Sequence, residues 1–578
     1  MKYLKHFLSE HKGKVVLNVL LALAQSVGTL ALPMLMAGIV DQGILAKNMD
    51  VVRRTGIEML LITVFSTTAA ILFSWSAADM GALFGRDMRQ KLFHRSQELS
   101  LRQFNDLGLS SMVTRSTADV TTMQVTVSMV IQMVLPAPLL MAAAVVMTFR
   151  VSGRLALVLL LCLAALLAFC IWMVRASSPM TLLIQKKLDR VNQMVREHVT
   201  GTRVVRAFGR EAHEEARSGS AFEAYANTMI RLGHMFAVVN PVVWLILGLC
   251  MAAVLWIGGM LTGRGSMEVG QIMAVTEYTT MALGFLITAA GAVLYLPKFR
   301  SCMERLQEVL DTMPDVADPQ ISSAAPVADA PVISFENVSF FYPGAEEPVL
   351  QDLNFICRPG ETTAIIGGTG SGKSTVADLL LRLHDVTGGT IRLHGQDIRK
   401  MSQKELRSVI GCVPQKAFLF SGTIAENLRM GNKNASDEEL WDALSTAQAE
   451  DFVRSLPKGL NAPVAQGGGN FSGGQRQRLA IARALVRKAD LYVFDDSFSA
   501  LDVKTDAALR RALESHGGNA AKLIIAQRVS TILNADQILV LNQGRVAGKG
   551  RHEELLLSCP TYQDIVKSQL EQKGAQAI

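Results

Sequence analysis

The chain has 578 residues, half of them hydrophobic, with a positive mean hydropathy and a formal net charge of +7. That length leaves room for more than one domain, and so apolar a composition excludes an ordinary soluble protein and points to membrane spans. The basic residues lie mainly between apolar runs, which argues for a positive-inside membrane protein; no nucleic-acid motif is present.

Residues 1–14 carry Lys2, Lys5, Lys12 and Lys14 and lead into the apolar run 15–40, too long for a signal-peptide core. Further runs at 57–84, 127–149, 155–174, 235–261 and 271–296 are each long enough to cross a hydrocarbon core about 30 Å thick. Six helices put both termini on one side. The segments after the second and fourth spans are long and basic, with Arg86, Arg89, Lys91, Arg95, Arg102 and Arg115, then Lys186, Lys187, Arg190, Arg196, Arg203, Arg206, Arg210 and Arg217. These segments and both termini are therefore expected to be cytoplasmic. Glu58, Asp79 and Glu277 fall near span ends and are assigned no substrate contact. Pro136, Pro138 and Pro241 predict local kinks. The seven cysteines show no CxxC or Cys/His spacing and read as packing residues in a reducing compartment.

The stretch 311–331 is rich in Pro, Ala, Asp and Ser and reads as a linker. Beyond it, short apolar strands alternate with helical stretches, as in an α/β domain. The expected organisation is an α-helical membrane domain over 1–310, with six helices and two long cytoplasmic loops. A linker over 311–331, an α/β P-loop ATPase domain over 332–570 and a loose tail over 571–578 follow.

The strongest chemical signal is Gly367-Gly368-Thr369-Gly370-Ser371-Gly372-Lys373-Ser374-Thr375, set between an apolar strand and a helix. This is the context of a phosphate-binding P-loop: Gly367, Gly370 and Gly372 let backbone N–H groups turn toward phosphates. Lys373 can reach the β/γ-phosphates and the Ser374 hydroxyl is placed for Mg²⁺, with Thr375 beside it. The apolar strand 491–495 ends in Asp495, a carboxylate for the metal side. Tyr342 offers a flat face for adenine, or else is a core aromatic at a strand end. A second glycine turn, Ser472-Gly473-Gly474-Gln475, opens a helix and suits a phosphate, or is an ordinary capping turn. Two phosphate cradles on one domain suggest two domains meeting face to face, each closing the other's nucleotide.

With these motifs in this order, the chain resembles a half-transporter of the ATP-binding cassette (ABC) superfamily, of the exporter type. The resemblance covers nearly the whole chain and rests on the P-loop, on Gln415 in Val413-Pro414-Gln415, on Phe471-Ser472-Gly473-Gly474-Gln475, on Asp495 and on Ser499-Ala500-Leu501-Asp502. It implies ATP and Mg²⁺ as cofactors, with Gln415 joining Ser374 and Asp495 on the metal side. A second half-transporter subunit, membrane lipids and a transported drug, lipid or peptide-like substrate are the implied partners, and a bacterial inner membrane the expected location. It also implies short cytoplasmic coupling helices, expected near 112–120 and 197–211. Two departures stand out. The family usually has glutamate after the strand-end aspartate, to polarise the attacking water; here it is Asp496. Where the family has histidine, this chain has Gln527, which can hydrogen-bond a γ-phosphate but carries no positive charge. Asp496, Gln527 and Gln415 are thus the expected catalytic groups of a site that binds ATP and hydrolyses it poorly. The nearly intact signature is expected to serve a competent site on a partner, as in heterodimeric bacterial multidrug-type exporters. A homodimer with two slow sites, or a nucleotide-gated channel or sensor, are the alternatives.

Overall fold

The computed structural model describes residues 2–293, 295–319, 330–516 and 518–575. The chain divides into two compact units, one of Met1–Glu98 with Leu107–Thr312, the other of Leu99–Asp106 with Met313–Ile578.

The first unit is helical. A short amphipathic helix α1 (Lys2–Glu10) precedes helices long and apolar enough to cross a membrane: α2 (Lys12–Ile44), α3 (Met49–Glu98), α4 (Leu109–Val151), α5 (Gly153–Ala207) and α6 (Glu211–Gly263). The sixth such helix begins with α7 (Val269–Val293), and α8 (Leu296–Asp311) follows. At 1.5 Å per residue the 55-residue α5 is about 80 Å long, more than twice the hydrocarbon thickness. Hydropathy therefore marks only the apolar part of each helix. In α3, for example, the apolar run ends at Phe84 while the helix continues through the basic residues to Glu98.

Neighbouring helices pack as α2 on α3 and α5 on α6, while α7 lies against α2, α4, α5 and α6. Small residues bring helices together: a Cβ on Gly28 would sit 2.7 Å from Ser66 Cβ, and one on Gly81 would overlap Ser128. The buried Tyr278 hydroxyl donates to the Leu30 carbonyl across this packing, at 3.0 Å. Near the cytoplasmic end, Phe7, Met80, Phe84, Met123, Phe299 and Met303 form a further cluster. Beside it the Arg305 guanidinium grips Asp119 through two hydrogen bonds of 2.6 and 2.8 Å. Arg54 pairs with Glu58, and Lys14 lies 3.8 Å from Asp79, so two of the acids near the spans have cationic neighbours.

Pro136 and Pro138 lie within α4, just beyond a π turn at Val130–Val134, and Pro241 lies within α6. The first coupling-helix expectation is corrected: residues 112–120 lie within the continuous α4, and the separate short helix of that loop is Leu101–Leu107. Gly108, at φ 77°, breaks the chain after it, a conformation glycine adopts without strain. In the second loop, α5 runs to Ala207 and the chain reverses over Phe208, Gly209 and Arg210. A cysteine introduced at Gly265, between α6 and α7, is expected to react with an impermeant maleimide added outside intact cells, and one at Gly209 only after permeabilisation. The opposite labelling pattern would overturn the six-span orientation.

The second unit is α/β. Its antiparallel sheet has the order β2 (Leu350–Cys357), β1 (Ile333–Phe340), β4 (Gly388–Leu393), β5 (Gln396–Asp397). The six-stranded sheet has the order β10 (Arg545–Gly550), β9 (Gln537–Asn542), β3 (Thr362–Gly367), β8 (Ala521–Ala526), β7 (Leu491–Asp495), β6 (Ile410–Val413). From β9 to β6 every neighbouring pair in it is parallel. Both faces are covered, which is why β7 and β8 read as near-continuous apolar runs. The described part of the linker is tied to this unit: Gln403 donates to Val316 O at 3.1 Å and Arg382 to Ala317 O at 3.0 Å. Residues 320–329 of the expected linker lie outside the described residues. The tail also differs from expectation, since the last helix, Pro560–Ala575, continues past residue 570; residues 576–578 are not described.

Candidate nucleotide site

Because β6, β7, β8 and β3 run parallel, their carboxyl ends share one sheet edge. The register sets Val413 opposite Phe494, Asp495 opposite Ile525, and Ala526 opposite Ile366. The residues just beyond these ends are Gln415, Asp496, Gln527 and the glycine loop. Segments far apart in sequence thus converge on the crevice where α/β sheets bind ligands.

The loop after β3 is built around its glycines. A Cβ on Gly367 would lie 2.2 Å from the Leu541 carbonyl oxygen, so β9 excludes any side chain there. Gly372 is at φ 94°, with its Cβ position 2.8 Å from Val349 O, and it directly precedes α9 (Lys373–Leu380). From the first turn of that helix Lys373 Nζ reaches back to the carbonyls of Gly367 (2.8 Å) and Gly368 (2.7 Å). Burial lowers the Lys373 pKa, against which Asp496 and Asp495 favour its charge. Gly372→Ala is expected to weaken binding of a fluorescent ATP analogue at least about tenfold, since the new Cβ meets backbone in a left-handed conformation. Gly368→Ala, with nothing within 4 Å of its Cβ, is expected to bind nearly normally; equal losses would contradict this account of the loop.

Ser374 Oγ donates to Asp495 Oδ1 at 3.4 Å. Burial pushes the Asp495 carboxyl up to about 6, with Ser374 opposing the shift. A desolvated carboxylate beside a hydroxyl, at the mouth of a phosphate loop, fits a hard cation such as Mg²⁺, which takes one or two carboxylates plus substrate phosphates. Gln415 Nε2 donates to Asp496 Oδ2 at 3.4 Å. Gln527 Nε2 donates to the same Asp496 oxygen at 3.1 Å. Asp496 itself is at φ 45° and donates its backbone N–H to Ile525 O at 2.8 Å. Aspartate tolerates this left-handed conformation better than most residues. Sequence reasoning misses Ser497, whose hydroxyl donates to Val413 O at 3.0 Å and ties the Gln415 segment to the Asp496 turn.

Tyr342 is half-buried, edge-on to Phe340 and His384, and its hydroxyl lies 3.3 Å from Thr375 Oγ1. The Ser472–Gln475 turn belongs to another part of the unit. It opens a helix, Gly473–Leu485, that packs on helices Ile424–Arg429 and Asp437–Thr446 and on β6, while α9 packs on β3 and β7. Within the chain the turn is a complete capping box: Ser472 Oγ accepts from Gln475 N at 3.2 Å, and Gln475 Oε1 accepts from Ser472 N at 2.9 Å. Phe471, where leucine is commoner, is buried against Phe452 and so is explained by packing. The Cβ positions of Gly473 and Gly474 meet no atom closer than 3.4 Å. Asp502 caps the helix Val503–Ser515 by accepting from Thr505 N at 2.9 Å.

A membrane unit of six long apolar helices followed by a P-loop α/β unit defines a membrane-embedded ATPase. A family model described as ABC transporter transmembrane region matches residues 15–286, and one described as ABC transporter matches residues 350–499. The chain is 37% identical to an uncharacterized ABC transporter ATP-binding protein of Mycobacterium tuberculosis, over 98% of this chain and 97% of that protein. It is 30% identical to an ATP-dependent lipid A-core flippase of Desulfotalea psychrophila, over 88% of each. A solved bacterial Atm1-family ABC exporter with ATP bound superposes with a TM-score of 0.80 at 28% identity, covering 96% of this chain and 98% of that one. The chain belongs to the ABC transporter family and is an exporter-type half-transporter, one membrane domain fused to one cassette. It is an integral membrane protein with a cytoplasmic ATP-binding domain, of a family in which ATP hydrolysis drives transport and the working unit is a dimer.

Proposed function

We propose that this chain is one half of a heterodimeric ABC exporter whose own P-loop site holds ATP but hydrolyses it slowly, while its signature turn completes the fast site of its partner. The observation that carries this reading is the arrangement around Asp496. The carboxylate at the water-activating position is one methylene shorter than glutamate, and both amides at the γ-phosphate side, Gln415 and Gln527, donate to one of its oxygens. A side chain about 1.5 Å short of the attacking water, without an imidazole beside it, weakens the step that catalysis by position depends on.

The binding groups are retained. Lys373 and the backbone N–H groups of the loop would hold the β/γ-phosphates, Tyr342 would face the adenine, and Ser374 with Asp495 would hold Mg²⁺. The cation neutralises charge on the β/γ oxygens when bound. Closure of two cassettes over ATP, transmitted to the spans, gives alternating access through the higher affinity of ATP for the closed dimer. The name of the flippase relative, together with the long apolar helices, favours a lipid-like or amphiphilic substrate moved outward across a bacterial inner membrane. The test is ATP turnover by the purified dimer, with the P-loop and the signature of this chain disabled one at a time: unequal losses support the asymmetric dimer, and equal losses contradict it.

A further inference from the structure

The residues after β8 leave the six-stranded sheet at Ala526, so the backbone groups of Gln527, Arg528 and Val529 no longer have a strand on each side. One side chain takes over part of that role. Gln569, in the last helix, donates its Nε2 to the Gln527 carbonyl at 2.7 Å and accepts the Val529 N–H on its Oε1 at 2.8 Å. A carboxamide carries one acceptor and a donor pair, and here it pairs with residues i and i+2 as a neighbouring strand would. The helix that presents it is anchored: Tyr562 is buried with its hydroxyl 2.7 Å from His552 Nδ1, and Ile565 and Val566 pack on the cassette core. Arg510 Nη1 donates to Ser530 O at 2.9 Å in the same segment. The Gln527 side chain, whose backbone is held in this way, is the one that donates to Asp496.

We propose that Gln569 is a positioning residue for this nucleotide site: it fixes the Gln527 backbone so that the Gln527 amide meets Asp496 and the γ-phosphate, and makes the C-terminal helix part of the ATP-retaining machinery. The inference rests on the reading that Gln527 faces the γ-phosphate. Gln569 touches no reacting atom and acts only through the segment it clamps.

The experiment is a double-mutant cycle in the full-length, dimeric transporter in lipid nanodiscs. ATP retention on this chain is read as the half-time over which azido-ATP photolabelling of it decays after a chase with unlabelled ATP. Gln527→Ala and Gln569→Leu are each expected to shorten that half-time about tenfold, the scale of a small misplacement of a positioned group. The double variant is expected to be no shorter than either single one. An unchanged half-time in Gln569→Leu overturns the proposal, as does an effect that adds in full to Gln527→Ala or that appears where Gln527→Ala has none. If Gln569→Leu does not assemble, Gln569→Glu enters the same cycle; it keeps the acceptor for Val529 and turns a carboxylate toward the Gln527 carbonyl. With a non-hydrolysable azido-ATP analogue as the label the decay reads release alone, so the slow-site reading, tested by turnover, can fail separately.

Discussion

Ser472→Ala combined with Gly473→Glu is expected to lower ATP turnover of the assembled transporter by about a hundredfold or more, whereas Lys373→Ala lowers it only in part. In the proposed heterodimer the signature turn faces the phosphates of the fast site, and a glutamate there sets negative charge and bulk where backbone N–H groups should meet an anion. Losing one such donor group costs about two to three orders of magnitude in comparable sites. Ser472→Ala also removes a helix cap, which costs about 0.5–2 kcal/mol, so turnover is compared in dimers matched for assembly. At Gly473 the change starts in open space, with no atom within 4 Å of the Cβ position. Lys373, by contrast, belongs to the slow site, and its removal acts through weaker closure of the dimer. In a homodimer every site contains both elements, and the two changes would be comparably severe.

The second large effect is a gain. Asp496→Glu with Gln527→His is expected to raise hydrolysis at this chain's P-loop by up to about a hundredfold, the scale associated with moving a catalytic group by about 1 Å. Total turnover would then roughly double at most, because one fast site becomes two. Each single change is expected to do little, since both groups act on one γ-phosphate and Gln527 already donates to Asp496. The gain works against a modest backbone cost, as position 496 is at φ 45°, where aspartate is better tolerated than glutamate. Single-turnover release of phosphate, measured in matched assembled dimers, checks it; no gain in the double variant counts against the slow-site reading.

The class of protein is legible in the sequence because its strongest signals are local. A glycine loop between an apolar strand and a helix, and apolar runs of spanning length, need no knowledge of what lies across the fold. Non-local features are not legible in the same way. The extensions of the long helices, such as Arg86 to Glu98 in α3, are too polar for hydropathy to mark. The break before α4 depends on the positive φ of Gly108, so the short helix falls at Leu101–Leu107 instead of further along. The meeting of Gln415 and Gln527 on one oxygen of Asp496 follows from the parallel register of β6, β7 and β8, which no single segment encodes. Phe471 reads as a departure in a motif, yet it is a core residue against Phe452. Gln569 carries no motif at all, and its clamp appears only once the last helix is packed on the sheet.

The central claim is the asymmetry of the two nucleotide sites, and the ATPase rate of the purified full-length chain, alone and co-assembled with a candidate partner half-transporter, tests it most directly. The partner to choose carries glutamate and histidine at the positions equivalent to Asp496 and Gln527. The account predicts little hydrolysis by the chain alone and brisk hydrolysis by the pair, abolished by the signature change and only reduced by Lys373→Ala. Brisk hydrolysis by the chain alone, abolished equally by both changes, would contradict it.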